Sequence, residues 1–303
     1  MKKKNFIIAF IVFLIGAGIF IWINQSSANL NNIAIPEDEQ TALQQHEEEE
    51  EHIEEETDNT DESQEEEENT EENQFSTIFT EAVQGTIDFF TNGDSHVVAI
   101  GDSLTQGVGA SHEQGGYVGI LDRTINAEDQ IVSFDNFGIR GNRSDQLLER
   151  LDNPELSTAI EDADTVLITI GANDIMKVVR ENFTNLNIED FAEERNIYEE
   201  TLDQIFTKIK NINPNTEIYL LGFYNPWDEY FQDIEELGII VEEWNNTGNS
   251  FAEENEDITF IPMVDVFENA EEHLFADDNF HPNDLGYQRM ASRVLDYLTN
   301  QEG

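Results

Sequence analysis

The chain has 303 residues, 66 of them Asp or Glu against 14 Lys or Arg, giving a formal net charge of −52. Nucleic acid is a poor partner for such a polymer, because phosphate binding needs a basic footprint that releases counterions. With no cysteine there is no disulfide framework, thiolate metal site, cysteine nucleophile or lipid-modified cysteine, so chemistry falls to oxygen and nitrogen groups.

Lys2, Lys3 and Lys4 precede 18 residues, Phe6 to Ile23, that carry no charge. As a helix these span about 27 Å, close to the ~30 Å hydrocarbon thickness. Lysines ahead of the run place the N-terminus in the cytoplasm and everything downstream outside. A cleaved signal peptide is the alternative, with Ser26, Ser27 and Ala28 around the cleavage point, but the run exceeds the roughly 7 to 15 residues of a signal core. Residues 1–28 therefore read first as a membrane anchor, and either reading exports the protein.

Residues 29–74 read as a disordered acidic stalk. Between Glu37 and Gln74 there are 20 acidic residues and no basic one, too little apolar surface to offset the entropy of ordering. Residues 75–303 keep 46 acidic and 11 basic residues, a net −35, and form the folded domain. Charge of that size repels itself and is relieved by screening, which points to a protein that lives in high salt.

Within the domain, the spacing of Phe75, Ile78, Phe79, Ala82, Val83, Ile87 and Phe90 predicts an amphipathic helix over 75–90. Val97 to Ile100 reads as a buried strand ending at Gly101. Helix signals follow over 117–125, then a strand over 131–137, and a helix over 144–151 with Ser144 as its N-cap. Strands over 165–170, 217–223 and 258–262 alternate with helices over 188–212, 239–254 and 285–298. Five strands separated by helices predict an α/β fold, a parallel sheet with helices on both faces. In that architecture ligands bind at the carboxyl ends of the strands.

Four strand-end or pre-helix segments carry candidate chemistry. The first strand is followed by Gly101-Asp102-Ser103-Leu104, where Ser103 either exposes a hydroxyl that a base can activate or caps a short helix. The second is followed by Gly138-Ile139-Arg140-Gly141-Asn142, whose glycines allow a backbone N–H to approach an oxyanion. The third is followed by Gly171-Ala172-Asn173-Asp174, where an Asn amide can donate to developing negative charge. Before the last helix stands Asp278-Asn279-Phe280-His281-Pro282, whose spacing lets the carboxylate orient the imidazole. His46 and His52 fall in the stalk, and His96, His112 and His273 lack such a setting.

Together these four blocks, with a literal Gly-Asp-Ser-Leu, resemble the SGNH hydrolases, the GDSL esterase and lipase family, over roughly residues 95–300. The resemblance implies a flavodoxin-like three-layer α/β/α fold with a five-stranded parallel sheet. It also implies a triad of Ser103, Asp278 and His281, and an oxyanion hole formed by the Ser103 N–H, the Gly141 N–H and the Asn173 amide, with Gly138 the second choice of glycine. An α/β-hydrolase elbow would need G-x-S-x-G, but Thr105 stands two residues after Ser103. No metal or cofactor is implied, and a metallophosphoesterase is disfavoured because its histidine-rich ligand set is missing.

Within that family the chain looks most like the lysophospholipase-like and thioesterase-like acylhydrolases, which implies lipid acyl esters as substrates, while the apolar run of residues 6–23 predicts contact with a membrane through the N-terminal helix. O-deacetylation of cell-wall or other glycans is the alternative. A non-catalytic cell-surface binding domain is a third reading, against which the full set of motif residues speaks. Trp227, Tyr230 and Phe231 in one insert, and Ile175, Met176, Val178, Val179 and Phe183 after Asn173, either line an acyl pocket or pack helices and loops. Arg140 and Arg143 flank the oxyanion glycine and either receive an anionic headgroup or form surface ion pairs.

Overall fold

The structure, a computed structural model, describes residues 95–299 apart from 113–114, 183, 227–234, 269 and 271. The expected anchor, stalk and 75–90 helix lie outside the described residues, as do Phe183, Trp227, Tyr230 and Phe231. Among the described residues no helix is long and apolar enough to cross a membrane.

Five strands form one all-parallel sheet in the order β2-β1-β3-β4-β5: β1 Ser95–Gly101, β2 Val132–Gly138, β3 Thr165–Thr169, β4 Glu217–Leu221 and β5 Ile258–Ile261. The helices are α1 Ser103–Gln106, α2 Tyr117–Ile125, α3 Ser144–Arg150, α4 Pro154–Glu161, α5 Ala172–Glu181, α6 Ile188–Ile212, α7 Glu235–Glu254, α8 Val264–Phe267 and α9 Asp284–Thr299.

Alternation along the strands builds two cores. Val98, Ile100, Val166, Ile168, Ile218 and Leu220 turn to one face and pack with Leu147, Ile160, Val178, Leu202 and Trp244 from α3 to α7. Val97, Ala99, Leu167, Tyr219 and Leu221 turn to the other and pack with Leu121, Tyr287 and Val294 from α2 and α9. β3 is buried along its whole length, as the period-2 rule requires when helices cover both faces. The architecture is the expected three-layer α/β/α fold.

The departures from sequence expectation have local causes. β4 stops at Leu221 because Phe223 leaves the ladder and exchanges two hydrogen bonds with the Asn245 side chain of α7. α4 was invisible to apolar periodicity, yet it opens with Asn153 accepting from the Glu155 N–H and Pro154 at its first position, a start favoured by proline's fixed φ. Ser144 is not the cap of α3 but its first residue. Its hydroxyl donates instead to buried Asp174 at 2.6 Å, and the cap position belongs to Arg143. Ile175, Val178 and Val179 belong to α5 and are buried in the first core, so packing accounts for them.

Strand order reverses between β1 and β3. In open parallel sheets such a switch point opens a crevice beyond the strand ends, and both Ser103 and Asn173 follow these two strands.

Candidate active site

Gly101 ends β1, and the Asp102 N–H still bonds to the Thr169 carbonyl at 3.0 Å. The Asp102 side chain then accepts from the Leu104 N–H at 3.0 Å and caps α1. This sharp reversal leaves Ser103 at the first helical position, where an N–H has no intrahelical acceptor. Among the described residues the Ser103 N–H finds no acceptor at all. The Ser103 carbonyl is pinned by the N–H groups of Gly107 and Val108, both at 3.0 Å.

Beneath the serine lies a buried chain of hydroxyls. Thr169 donates to Asp102 at 2.9 Å, and the Thr105 hydroxyl lies 2.7 Å from that of Thr169, 3.2 Å from that of Tyr117 and 3.2 Å from the Ile100 carbonyl. Asp102 is 1% exposed. Burial pushes its carboxyl up to about 7, against the lowering effect of the Leu104 and Thr169 bonds. Asp174 is pushed up to about 6 for the same reason, against its bonds from Ser144.

His281 stands 178 positions from Ser103, and its Nε2 lies 2.9 Å from the serine Oγ. Its Nδ1 lies 2.6 Å from one oxygen of Asp278, and its own N–H donates to the other at 2.9 Å. Burial alone would raise the Asp278 carboxyl. The bonds from the His281 ring and N–H, the ring's charge and the Phe280 N–H outweigh it and hold the group down at about 2. An ionised Asp278 accepts only, so Nδ1 carries the proton and Nε2 is left to accept from the Ser103 hydroxyl. Ser103 and His281 are both buried. The turn that carries His281 is fastened by its carbonyl accepting from the Ala276 N–H at 2.8 Å, and by Tyr224 donating to the Phe280 carbonyl at 2.9 Å.

The loop between β2 and α3 decides which glycine is free. The Gly138 N–H is taken by the Asn136 side chain at 2.9 Å, and a Cβ there would lie 2.1 Å from the Gln106 backbone nitrogen. Gly138 thus serves close packing of β2 on α1. Gly141 adopts φ +79, a region that favours glycine, and its N–H has no acceptor among the described residues. Asn173 sits in the first turn of α5, and its amide donates to the Asn142 carbonyl at 3.0 Å. An amide has two N–H bonds, so one orients the group and the other remains for a ligand.

Ser103, His281 and Asp278 form one hydrogen-bonded chain, and Gly141 and Asn173 meet through Asn142. Of the two arginines, Arg143 pairs with Asp145 at 2.9 Å. Arg140 is exposed, with its N–H on the Gln106 side chain at 2.7 Å; burial lowers its pKa and the Asp278 charge raises it. Sequence reasoning passed over Asp102, Thr169 and Arg150. The first lies inside the recognised motif and was nameable, whereas the others carry no local signature. Among the described residues no group of three or more His, Asp or Glu side chains is arranged to hold a metal.

Residues 99–289 match the family model described as GDSL-like lipase/acylhydrolase. The chain is 35% identical over 217 residues to the protein YpmR of Bacillus subtilis (strain 168), covering 70% of this chain and 85% of that one. It is 26% identical over 204 residues to the spore germination lipase LipC of Bacillus licheniformis, covering 65% and 92%. Among solved structures it resembles the lipase Lip_vut3 from goat rumen metagenome, with a TM-score of 0.59, 26% identity and coverage of 66% and 95%. With the family model spanning most of the sheet and its crevice, the chain belongs to the GDSL-like lipase/acylhydrolase family and is an ester hydrolase.

Proposed function

We propose that the chain hydrolyses carboxylic esters by acyl transfer through Ser103. Nε2 of His281 removes the hydroxyl proton as Oγ attacks the ester carbonyl, and Asp278 steadies the imidazolium that forms. The carbonyl oxygen becomes an oxyanion, received by the N–H groups of Ser103 and Gly141 and by the Asn173 amide. His281 then returns its proton to the departing alkoxide, which leaves as the alcohol. Water attacks the acyl-enzyme by the same route and frees the acid. The observation that carries this reading is the 2.9 Å approach of Nε2 to Oγ in a ring whose other nitrogen is held by an ionised carboxylate.

The substrates proposed are lipid acyl esters of the lysophospholipid kind, a reading supported by the lipase names of two similar proteins. The second reading is O-deacetylation of glycans. It is favoured by the burial of Ile175, Val178 and Val179 in the core, which removes them from any acyl groove. We also propose that residues 6–23 anchor the chain, with the hydrolase domain outside the cytoplasm, on the strength of the apolar run and the lysines before it. Proteinase treatment of intact cells tests this: a protected domain refutes it.

The activity test is turnover of p-nitrophenyl esters of increasing chain length, with acetylated xylan and peptidoglycan included. Labelling of the same protein by a fluorophosphonate, lost in Ser103→Ala, is the expected companion result. Turnover retained by Ser103→Ala defeats the assignment. A preference for acetate over every longer chain selects the deacetylase reading.

A further inference from the structure

Arg150 ends α3 on the inner side of the oxyanion loop. Its Nη2 donates to the Phe137 carbonyl at 2.5 Å, and its Nη1 donates to the Asn142 side-chain oxygen at 2.5 Å and reaches the Gly101 carbonyl at 3.4 Å. These acceptors belong to three separate stretches of chain. Gly101 lies two residues before Ser103, Phe137 is the penultimate residue of β2, and Asn142 directly follows Gly141. The guanidinium has no carboxylate partner among the described residues. In a domain with 46 acidic side chains, a half-buried cation devoted to neutral oxygens at the ends of two strands is spent on geometry rather than on charge pairing.

The role of Asn142 makes the link to chemistry. It is buried and bonded through every part: its N–H donates to the Ile139 carbonyl at 3.1 Å, its side-chain oxygen accepts from Arg150, and its carbonyl accepts from the Asn173 amide at 3.0 Å. A carbonyl held so firmly fixes the plane of the Asn173 amide. The residue that fixes the carbonyl also sits on both strand ends from which Ser103 and Gly141 depart. We propose that Arg150 is the positioning residue of the oxyanion hole: one planar guanidinium sets the register between the Ser103 turn, the Gly141 loop and, through Asn142, the Asn173 amide. The planar fork matters because a lysine ammonium is a point charge that cannot hold spread acceptors in one plane.

This inference rests on the acyl-transfer reading, and its test separates the two. Steady-state kinetics of Arg150→Lys, Arg150→Met, Asn142→Ala and Asn173→Ala are compared, together with the two double variants that add Asn173→Ala to Arg150→Met and to Asn142→Ala. A donor lost from an oxyanion hole costs about 10² to 10³ in kcat, so a residue acting through such donors should cost about 10-fold to 100-fold in kcat, with KM within about twofold. Arg150→Lys should not rescue. The deciding result is the cycle: in both double variants the losses should fall short of the product of the single losses by about tenfold or more, because the second change removes a donor that the first has already misaligned. Losses that multiply fully, an unchanged kcat in Arg150→Met, or a loss carried by KM each overturn the proposal. If the Arg150 variants do not fold, Asn142→Ala, which keeps the backbone carbonyl and removes the guanidinium's acceptor together with a long 3.4 Å bond to the Gln146 side chain, decides the matter through its own cycle. An active Ser103→Ala enzyme sinks the acyl-transfer reading, whereas an inactive one with multiplying losses sinks only the role of Arg150.

Discussion

The hydroxyl of Tyr287 donates to the carbonyl of Val108 at 2.6 Å, joining two residues 179 positions apart. Val108 in turn donates to the carbonyl of Ser103, and Tyr287 lies on α9 six residues after His281. The same seam is closed again where both the N–H and the hydroxyl of Ser111 bond to the carboxylate of Asp284. The serine and the histidine are thus presented by two segments stitched together beside the Ser103–His281 hydrogen bond.

Tyr287→Phe should show what that stitch does. The change removes one hydrogen bond and leaves the Val108 carbonyl unsatisfied, a cost of about 1–3 kcal/mol, so the melting temperature should fall by a few degrees while the fold persists. If the bond sets the approach of Ser103 to His281, kcat should drop about tenfold with KM little changed. Equal kcat at a lowered melting temperature would show that the bond serves stability alone.

Asp278→Asn should be far more damaging than its partly exposed position suggests. The carboxylate accepts from the ring and N–H of His281 and keeps the proton on Nδ1. An amide can present an N–H to Nδ1 and so favour the tautomer that leaves Nε2 unable to accept from Ser103. Such a swap costs about 10⁴ in kcat in the serine proteases where it was made, and a similar loss is expected in ester turnover. A loss below about tenfold would mean that the carboxylate does not control the tautomer.

The candidate residues Ser103, Asp278 and His281, which the structure joins by hydrogen bonds, were legible in the sequence because each sits in a short local block: a serine in a strand-to-helix turn, and an Asp three residues before a His that precedes a helix. The ranking of Gly141 above Gly138 rested on resemblance alone, since Gly138 ends β2 and Gly141 follows it and either N–H could serve. The Asn136 side chain decides it by occupying one of them. Arg150 and the Asp174–Ser144 pair were hidden for a related reason. Their partners lie 8 to 49 positions away, and no periodicity marks a side chain whose role is to tie loops together. β1 and β3 came through well because continuous apolar runs mean burial on both faces, whereas β2, an edge strand buried only at Val132, has no such run. The short helices α1 and α8, at four residues each, offer no apolar repeat to read.

The buried carboxyl of Asp102 gives a prediction whose sign is fixed by its environment. Its pKa is about 7 in the folded chain and about 3.9 when unfolded. Between these values the unfolded chain has released a proton that the folded one keeps, so this group's contribution makes the fold less stable as pH rises from about 4 to 7. Asp102→Asn removes that slope and can still accept from Leu104 and Thr169 through Oδ1. The melting temperature of the variant, measured relative to the parent, should therefore climb across this window. Asp278 acts in the opposite direction and in a different window: held down at about 2, it contributes stability above about pH 4 that disappears as pH falls toward 2. A relative melting temperature for Asp102→Asn that is flat between pH 4 and 7 rules out the raised pKa.

Salt acts on this domain through two opposed effects, and their sizes favour one of them. Lys177 meets the buried carboxylate of Glu194, which salt reaches less, and six further domain cations sit in ion pairs at the surface, from Arg143–Asp145 to Arg293–Asp265. Screening weakens such pairs, but each is worth only about 0–1 kcal/mol. Against them stand 46 acidic residues with 11 cations to answer them. This excess repels itself over distances that a Debye length of about 10 Å at 0.1 M leaves exposed and one of about 3 Å at 1 M cuts off. Repulsion summed over so many carboxylates outweighs the loss from six weak pairs. The melting temperature should therefore rise by several degrees between about 0.1 and 1 M NaCl, and KCl should do the same because screening depends on ionic strength and not on the cation. A melting temperature that stays level or falls along the series would show that the acidic surface is not under electrostatic strain, and with it the case for a protein adapted to high salt would end.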